Sequence, residues 1–207
     1  LFTKAVLMLS GNLSLNRLNI VAKGIRTICE GEVDQYQNKY NINSSVYSYI
    51  KRIGRKTAVL FSASCALGAD TAKCSHDIAK CLARFGYFYG TAFQIKDDIE
   101  NFINPVTGSD KPYGNDIMEG IITLPVIYAL RKNQDIKRDL IEFLNKKGKA
   151  SKSELDEMIR RIIDSDGIEE AEKLADKYIE KGLDMLKGLP DNRYKNILAE
   201  LIIGLRL

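Results

Sequence analysis

Apolar residues recur along this chain at three- and four-residue spacing rather than in alternation, so the pattern predicts helices almost throughout. Leu1–Ser10 reads as a short helix closed by Gly11. Asn16 can cap a second, running through Leu18, Val21, Ile25 and Ile28 towards Tyr36. After the polar stretch Asn38–Ser45, Ser44 or Ser45 opens a long apolar run, Val46–Leu67, that stops at Gly68. Ala69–Ser75 connects it to a helix over Ser75–Phe102. The segment Asn104–Asn115, with Pro105, Gly108, Pro112 and Gly114, is the most loop-like in the chain. A helical pattern resumes over Asp116–Lys132, where Pro125 either begins a new helix or kinks a continuing one. Helices over Gln134–Asn145, Ser153–Asp164, Ile168–Lys187 and Asn192–Leu205 complete the chain, separated by Gly148, Gly167 and Gly188-Leu189-Pro190. Strand patterns, repeats and low-complexity segments are absent. The expected architecture is a single all-α domain, residues 1–207.

Polar clusters interrupt this pattern at three places. The helix through Phe88–Phe102 puts Gln94, Asp97, Asp98 and Asn101 at i, i+3, i+4 and i+7, along one face of an otherwise apolar element. Such a stripe faces bulk water, or else a metal, a partner or a wet cavity. Gly90 and Thr91 upstream are small and expected to leave space. In Glu30-Gly31-Glu32-Val33-Asp34-Gln35, a glycine inside a helix costs about 1 kcal/mol relative to Ala, so Gly31 points to a close approach to the backbone; an ordinary acidic helix end is the alternative. In Arg55-Lys56-Thr57-Ala58, Lys56 either reaches out to water or holds an anion at a cavity mouth, with Thr57 adding a hydroxyl. Adjacent carboxylates bind hard divalent cations, Mg²⁺ above all, which bridge to phosphate oxygens. With Lys111 and Asp116 close by in sequence, the ligand this suggests carries a diphosphate head and a hydrocarbon tail.

Bulk properties narrow the field. The chain has 207 residues, 45% hydrophobic and 28% charged, with a net charge of +4. Basic residues are interspersed with acidic ones, so no nucleic-acid footprint is present, and no uncharged run reaches membrane-spanning length. Cys29, Cys65, Cys74 and Cys81 lack metal-site spacing, and three of them (Cys29, Cys65, Cys81) sit in apolar helical surroundings, which favours a reducing compartment. His76 is expected at the surface near a helix start. Glu169, Glu170, Glu172, Lys173, Asp176 and Lys177 read as a solvated face.

The order G-E-V-D-Q (Gly31–Gln35), K-T-A (Lys56–Ala58), F-Q-I-K-D-D-I-E-N (Phe93–Asn101) and G-N-D-I-M-E-G-I-I-T-L-P (Gly114–Pro125) resembles the trans-prenyl diphosphate synthases, chiefly medium- and long-chain polyprenyl members. The resemblance implies an isoprenoid-synthase-type helical bundle around a deep apolar cavity, as a homodimer or a heteromer. It implies Mg²⁺-dependent, head-to-tail condensation of isopentenyl diphosphate with an allylic diphosphate, and a lipid product that brings peripheral membrane contact. By the same resemblance Asp97 and Asp98 hold Mg²⁺, and Lys56 and Lys111 neutralise the allylic diphosphate. Thr57 and Gln94 place oxygen dipoles near the allylic cation, Gln35 lines the cavity, and Asn101 and Asp116 support the metal-bound waters.

Departures from the family pattern accompany the likeness. Asn101 stands where Asp is usual, Ile121 where many members have Lys, and Asp110 where Gly is common. No first Asp-rich motif or upstream G-K-R-type segment is found, and the family places both before the point where Leu1 begins. The chain starts without Met inside a helical pattern, so it is expected to be the C-terminal portion of a longer protein and inactive alone. Its compartment is expected to be cytoplasmic, or organellar if a targeting segment precedes it. A non-catalytic partner subunit keeping this fold is the alternative. A terpene cyclase is disfavoured, because its second metal motif needs Ser or Thr and a later Glu where Asn101 and Pro105 stand.

Overall fold

In the computed structural model, residues 15–103 and 113–206 are described; the expected Leu1–Ser10 helix, most of the Asn104–Asn115 loop and Lys111 lie outside them. The described residues are helical with no strand. The first helix, α1 (Leu15–Gln37), has Asn16 within its span rather than before it. Next, α2 (Val46–Ile53) begins at Ser45, which forms a reciprocal capping box with Ser48. The run then passes through a π-helical turn, Gly54–Ala58, before continuing as α3 (Val59–Thr71). Gly68 is therefore inside α3, exposed and with open space where a Cβ would stand, and the helix extends one turn beyond the expected stop.

His76, exposed, opens the 28-residue α4 (His76–Ile103). The expected Asp116–Lys132 helix is two: α5 (Asn115–Met118) ends in a turn at Gly120 (φ 76°), and α6 (Leu124–Lys132) starts with Pro125 in its first turn. Proline, lacking an N–H and fixed near helical φ, suits that position. The rest follows the periodicity as α7 (Gln134–Asn145), α8 (Lys152–Ile163), α9 (Gly167–Lys187) and α10 (Arg193–Ile203), then a 3₁₀ turn, Gly204–Arg206. Asn133, Ser151 and Asn192 cap α7, α8 and α10 through their side-chain oxygens.

Among the described residues α4 contributes to both cores. One side of its C-terminal half sends Ile95, Ile99 and Phe102 into the larger core, with Tyr49 and Ile53 of α2, Leu124 and Ile127 of α6, Leu140 of α7 and Ile162 of α8. Phe85 and Ala92 join Ile179, Leu186 and Ile202 in a second core against α9 and α10. The Lys173 pairs with Glu169 and Glu170 are largely exposed, as expected of a solvated face. All four cysteines are free thiols; Cys29 is exposed, not in apolar surroundings as its sequence context suggested.

Two glycines grip the π turn. At Gly31 of α1, a Cβ would stand 2.9 Å from the Lys56 backbone nitrogen and 3.1 Å from Arg55 Cβ, which is the close approach the sequence predicts. At Gly90 of α4, a Cβ would stand 2.7 Å from both Ala58 Cα and Phe61 Cδ2. Gly90 and Thr91 therefore leave no open space: the glycine lets a backbone come close, and buried Thr91 donates to the Tyr87 carbonyl oxygen (2.8 Å). Gly90→Ala lowers the unfolding free energy by about 1–3 kcal/mol, since the clashing Ala58 Cα belongs to the backbone and cannot swing aside. Urea unfolding checks this; an unchanged or higher midpoint would show that the helices part without cost.

Candidate active site

A π turn adds one residue to a helical run and rotates the residues after it, and such bulges are common at functional sites. Here the turn carries Lys56 and Thr57 and points them at α1 and α4. Lys56 Nζ donates to Gln35 Oε1 (3.2 Å) and pairs with Glu32 (3.1 Å). Thr57 Oγ1 donates to Gln94 Oε1 (2.6 Å). With its carbonyl taken, the Gln94 amide turns its NH₂ to Asp98 Oδ1 (2.9 Å) and Asp97 Oδ2 (3.2 Å). The second oxygen of Asp98 accepts from the Tyr49 hydroxyl (2.6 Å), and Asn101 Nδ2 donates to Asp116 Oδ2 (3.0 Å).

Most of these groups border one cavity of about 340 Å³. Gln35, Lys56, Gln94, Asp97, Asp98, Asn101 and Asp116 line it together. Thr57 does not line it and acts on its wall through Gln94; Lys111 falls outside the described residues. The sequence reading missed Tyr49, Arg52 and Thr123, which also line it. A signal was present: Tyr49, Arg52, Ile53 and Lys56 stand at i, i+3, i+4 and i+7, one face of a helix. On α3 and α4, Phe61, Tyr89 and Phe93 form an aromatic strip, with Phe61 tilted against Tyr89 and Phe93 (ring centroids 5.1 and 5.6 Å apart) and Phe93 exposed.

Charge is balanced unevenly. Burial pushes the Asp98 carboxyl up to about 7; bonds from Tyr49 and Gln94 oppose this, and the charges of Asp116 and Asp97 add to it. Asp116 is raised too, first by burial and then by Asp97, with Lys56 opposing. The Tyr49 hydroxyl is raised by burial and by Asp98. Carboxylates held so close gain if a cation joins them. Among the described residues no three carboxylate, imidazole or thiol side chains form a ready metal cage. The donor set is hard oxygen, few in number and open to a cavity, which suits an ion that retains waters and takes ligand oxygens.

Comparison with known proteins agrees with this geometry. The profile of the family described as Polyprenyl synthetase matches residues 1–162. The chain is 37% identical over 184 residues to heptaprenyl diphosphate synthase component 2 of Geobacillus stearothermophilus, covering 89% of this chain and 56% of that one. It is 36% identical over 201 residues to the protein of that name from Bacillus subtilis, covering 94% and 57%. Among solved structures, heptaprenyl diphosphate synthase of Staphylococcus aureus superposes with a TM-score of 0.87 at 32% identity, over 93% of this chain and 60% of that one. A polyprenyl synthase of Caulobacter crescentus complexed with calcium and isoprenyl diphosphate gives 0.86 at 29% identity, over 94% and 60%. The chain thus spans somewhat more than half the length of these relatives. By sequence, fold and the order of its polar clusters, it belongs to the polyprenyl synthetase family.

Proposed function

We propose that the protein to which this chain belongs is a polyprenyl diphosphate synthase, joining isopentenyl diphosphate head-to-tail to an allylic diphosphate. The observation that carries this reading is the meeting of Gln94, Asp97 and Asp98 with Lys56 around one cavity. In the reaction the allylic C–O bond breaks and its electron pair leaves with the diphosphate. The alkene of isopentenyl diphosphate then forms the new C–C bond, and a proton is lost to restore a double bond.

Asp97 and Asp98 would hold Mg²⁺, whose chemistry here is to neutralise the departing diphosphate. The remaining work falls to side chains. Lys56 stabilises charge growing on the leaving oxygens, and a cation fixed beforehand by Gln35 and Glu32 needs no reorganisation at that moment. Thr57 locks the Gln94 amide so that its NH₂ orients both carboxylates. Asn101 restrains Asp116, which supports metal-bound waters. The strip of Phe61, Tyr89 and Phe93 offers the hydrocarbon tail an apolar surface.

The full-length protein, given Mg²⁺, labelled isopentenyl diphosphate and farnesyl diphosphate, should make longer prenyl diphosphates, and chelation should stop it. No product across allylic substrates of several lengths would defeat the reading. A homodimer is proposed for the assembly. The word "component" in the names of both heptaprenyl relatives favours a heteromer as the second reading, and light scattering of the purified protein, alone and co-expressed, separates the two.

A further inference from the structure

One buried cation in the cavity has no task in the proposed mechanism. Arg52, near the end of α2, is 4% exposed and lines the cavity. Among the described residues its guanidinium donates one bond, to the Ile122 carbonyl oxygen (2.8 Å), and it lies over the Tyr49 ring at 5.6 Å. Five N–H donors are available on a guanidinium, and among the described residues no carboxylate lies within 4.0 Å of this one. Lys56, by contrast, has Glu32. A buried charge without a counter-ion is strongly unfavourable unless a ligand supplies one.

The adjoining residue gives a second, independent sign. Thr123 follows the Ile122 carbonyl that holds Arg52, lines the same cavity, and is 3% exposed. Its Oγ1 is buried with no hydrogen-bond partner, the one such side-chain atom among the described residues. A buried hydroxyl left unmatched is costly, and among the described residues nothing supplies its acceptor or donor.

We propose that Arg52 and Thr123 form a second phosphate subsite in this cavity, one helical turn before Lys56, donating to the diphosphate end of the substrate. Guanidinium suits this, because its planar fork meets two phosphoryl oxygens at once. Arg52 is poised by the Ile122 carbonyl and the Tyr49 ring before ligand arrives. The subsite takes any diphosphate; that its ligand also carries a prenyl chain rests on the synthase reading.

The test is calorimetric titration of the full-length protein with inorganic pyrophosphate in the presence of Mg²⁺. Arg52→Met should weaken binding at least tenfold. Thr123→Val should weaken it about threefold or more while leaving the melting temperature unchanged or higher, since it removes an unmatched buried hydroxyl. Ile121 lines the same cavity, so Arg52→Met/Ile121→Lys should recover much of the lost affinity without recovering the stability lost with the Ile122 bond. Binding within twofold of wild type in both single variants overturns the proposal. So does a Thr123→Val variant whose affinity and melting temperature fall together, which would mark a structural hydroxyl. If Arg52→Met does not fold, Thr123→Val decides by the same outcomes. Pyrophosphate binding that depends on Arg52 and Thr123, in a protein that elongates no substrate, would leave the subsite standing and remove the synthase reading.

Discussion

Asp97→Ala in the full-length protein should lower the rate of chain elongation about 10³-fold or more, with little change in melting temperature. Asp97 is half-buried and its one hydrogen bond in the structure comes from Gln94 at 3.2 Å, so the fold loses little without it. On the proposed function Asp97 would hold a metal, so its loss would remove charge stabilisation that matters only as the diphosphate departs, and single electrostatic groups of that kind contribute roughly 10²–10³ in rate or more. Product assays under saturating substrate, beside thermal melts of the same preparations, check both halves. A variant that keeps more than a tenth of wild-type turnover would remove Asp97 from the reaction; an equal collapse of folding and rate would make it structural.

Asp98→Asn should abolish activity to a similar degree and yet stabilise the metal-free protein at alkaline pH. Its carboxyl stands at about 7 when folded against 3.8 for the free group. Below pH 3.8 both states hold the proton and the site costs nothing. Between pH 3.8 and 7 the unfolded chain releases the proton while the folded one retains it, so stability falls as pH rises. Above pH 7 the full cost, roughly 4 kcal/mol at most, is present. Asparagine carries no charge to bury and can still accept from Tyr49. The metal-free variant should therefore melt several degrees above wild type at pH 8 and no higher at pH 4. Adding Mg²⁺ at pH 8 should raise the wild-type midpoint and leave that of Asp98→Asn almost unmoved. A variant less stable than wild type at pH 8 would mean that the Tyr49–Asp98 bond outweighs the buried charge.

That pair also marks where reading the sequence stops. The stripe Gln94, Asp97, Asp98 and Asn101 is legible because residues on one helix keep fixed angular positions. The cavity they share with Gln35, Lys56 and Asp116 follows the motif order. Tyr49 and Arg52 escaped notice because an isolated Tyr or Arg in an apolar helix normally reaches out to solvent. Their burial depends on α4 and the Ile122 segment, far off in sequence. Thr123 looked like part of a helix and proved to precede one. The π turn is equally hidden: Gly54-Arg55-Lys56-Thr57-Ala58 fits an ordinary α-helix, and no local term favours the wider turn.

Local rules settle a good deal here without any contact between distant parts. Periodicity sets an all-α chain and most helix boundaries, capping residues set several starts, and the spacing of Asp97 and Asp98 sets a two-carboxylate face. Those are consequences of 3.6 residues per turn and of which side chains can bond a free N–H. Contact decides the rest. Gly31 and Gly90 admit α1 and α4 to the π turn, and that approach aims Lys56 at Gln35 and Thr57 at Gln94. Burial between helices then separates two adjacent aspartates that look alike in the sequence, one open to the cavity and the other held by Tyr49 with its carboxyl near 7. Desolvation and charge proximity are properties of what surrounds a group, and those surroundings come from residues up to seventy positions away, as in the bond from Arg52 to Ile122.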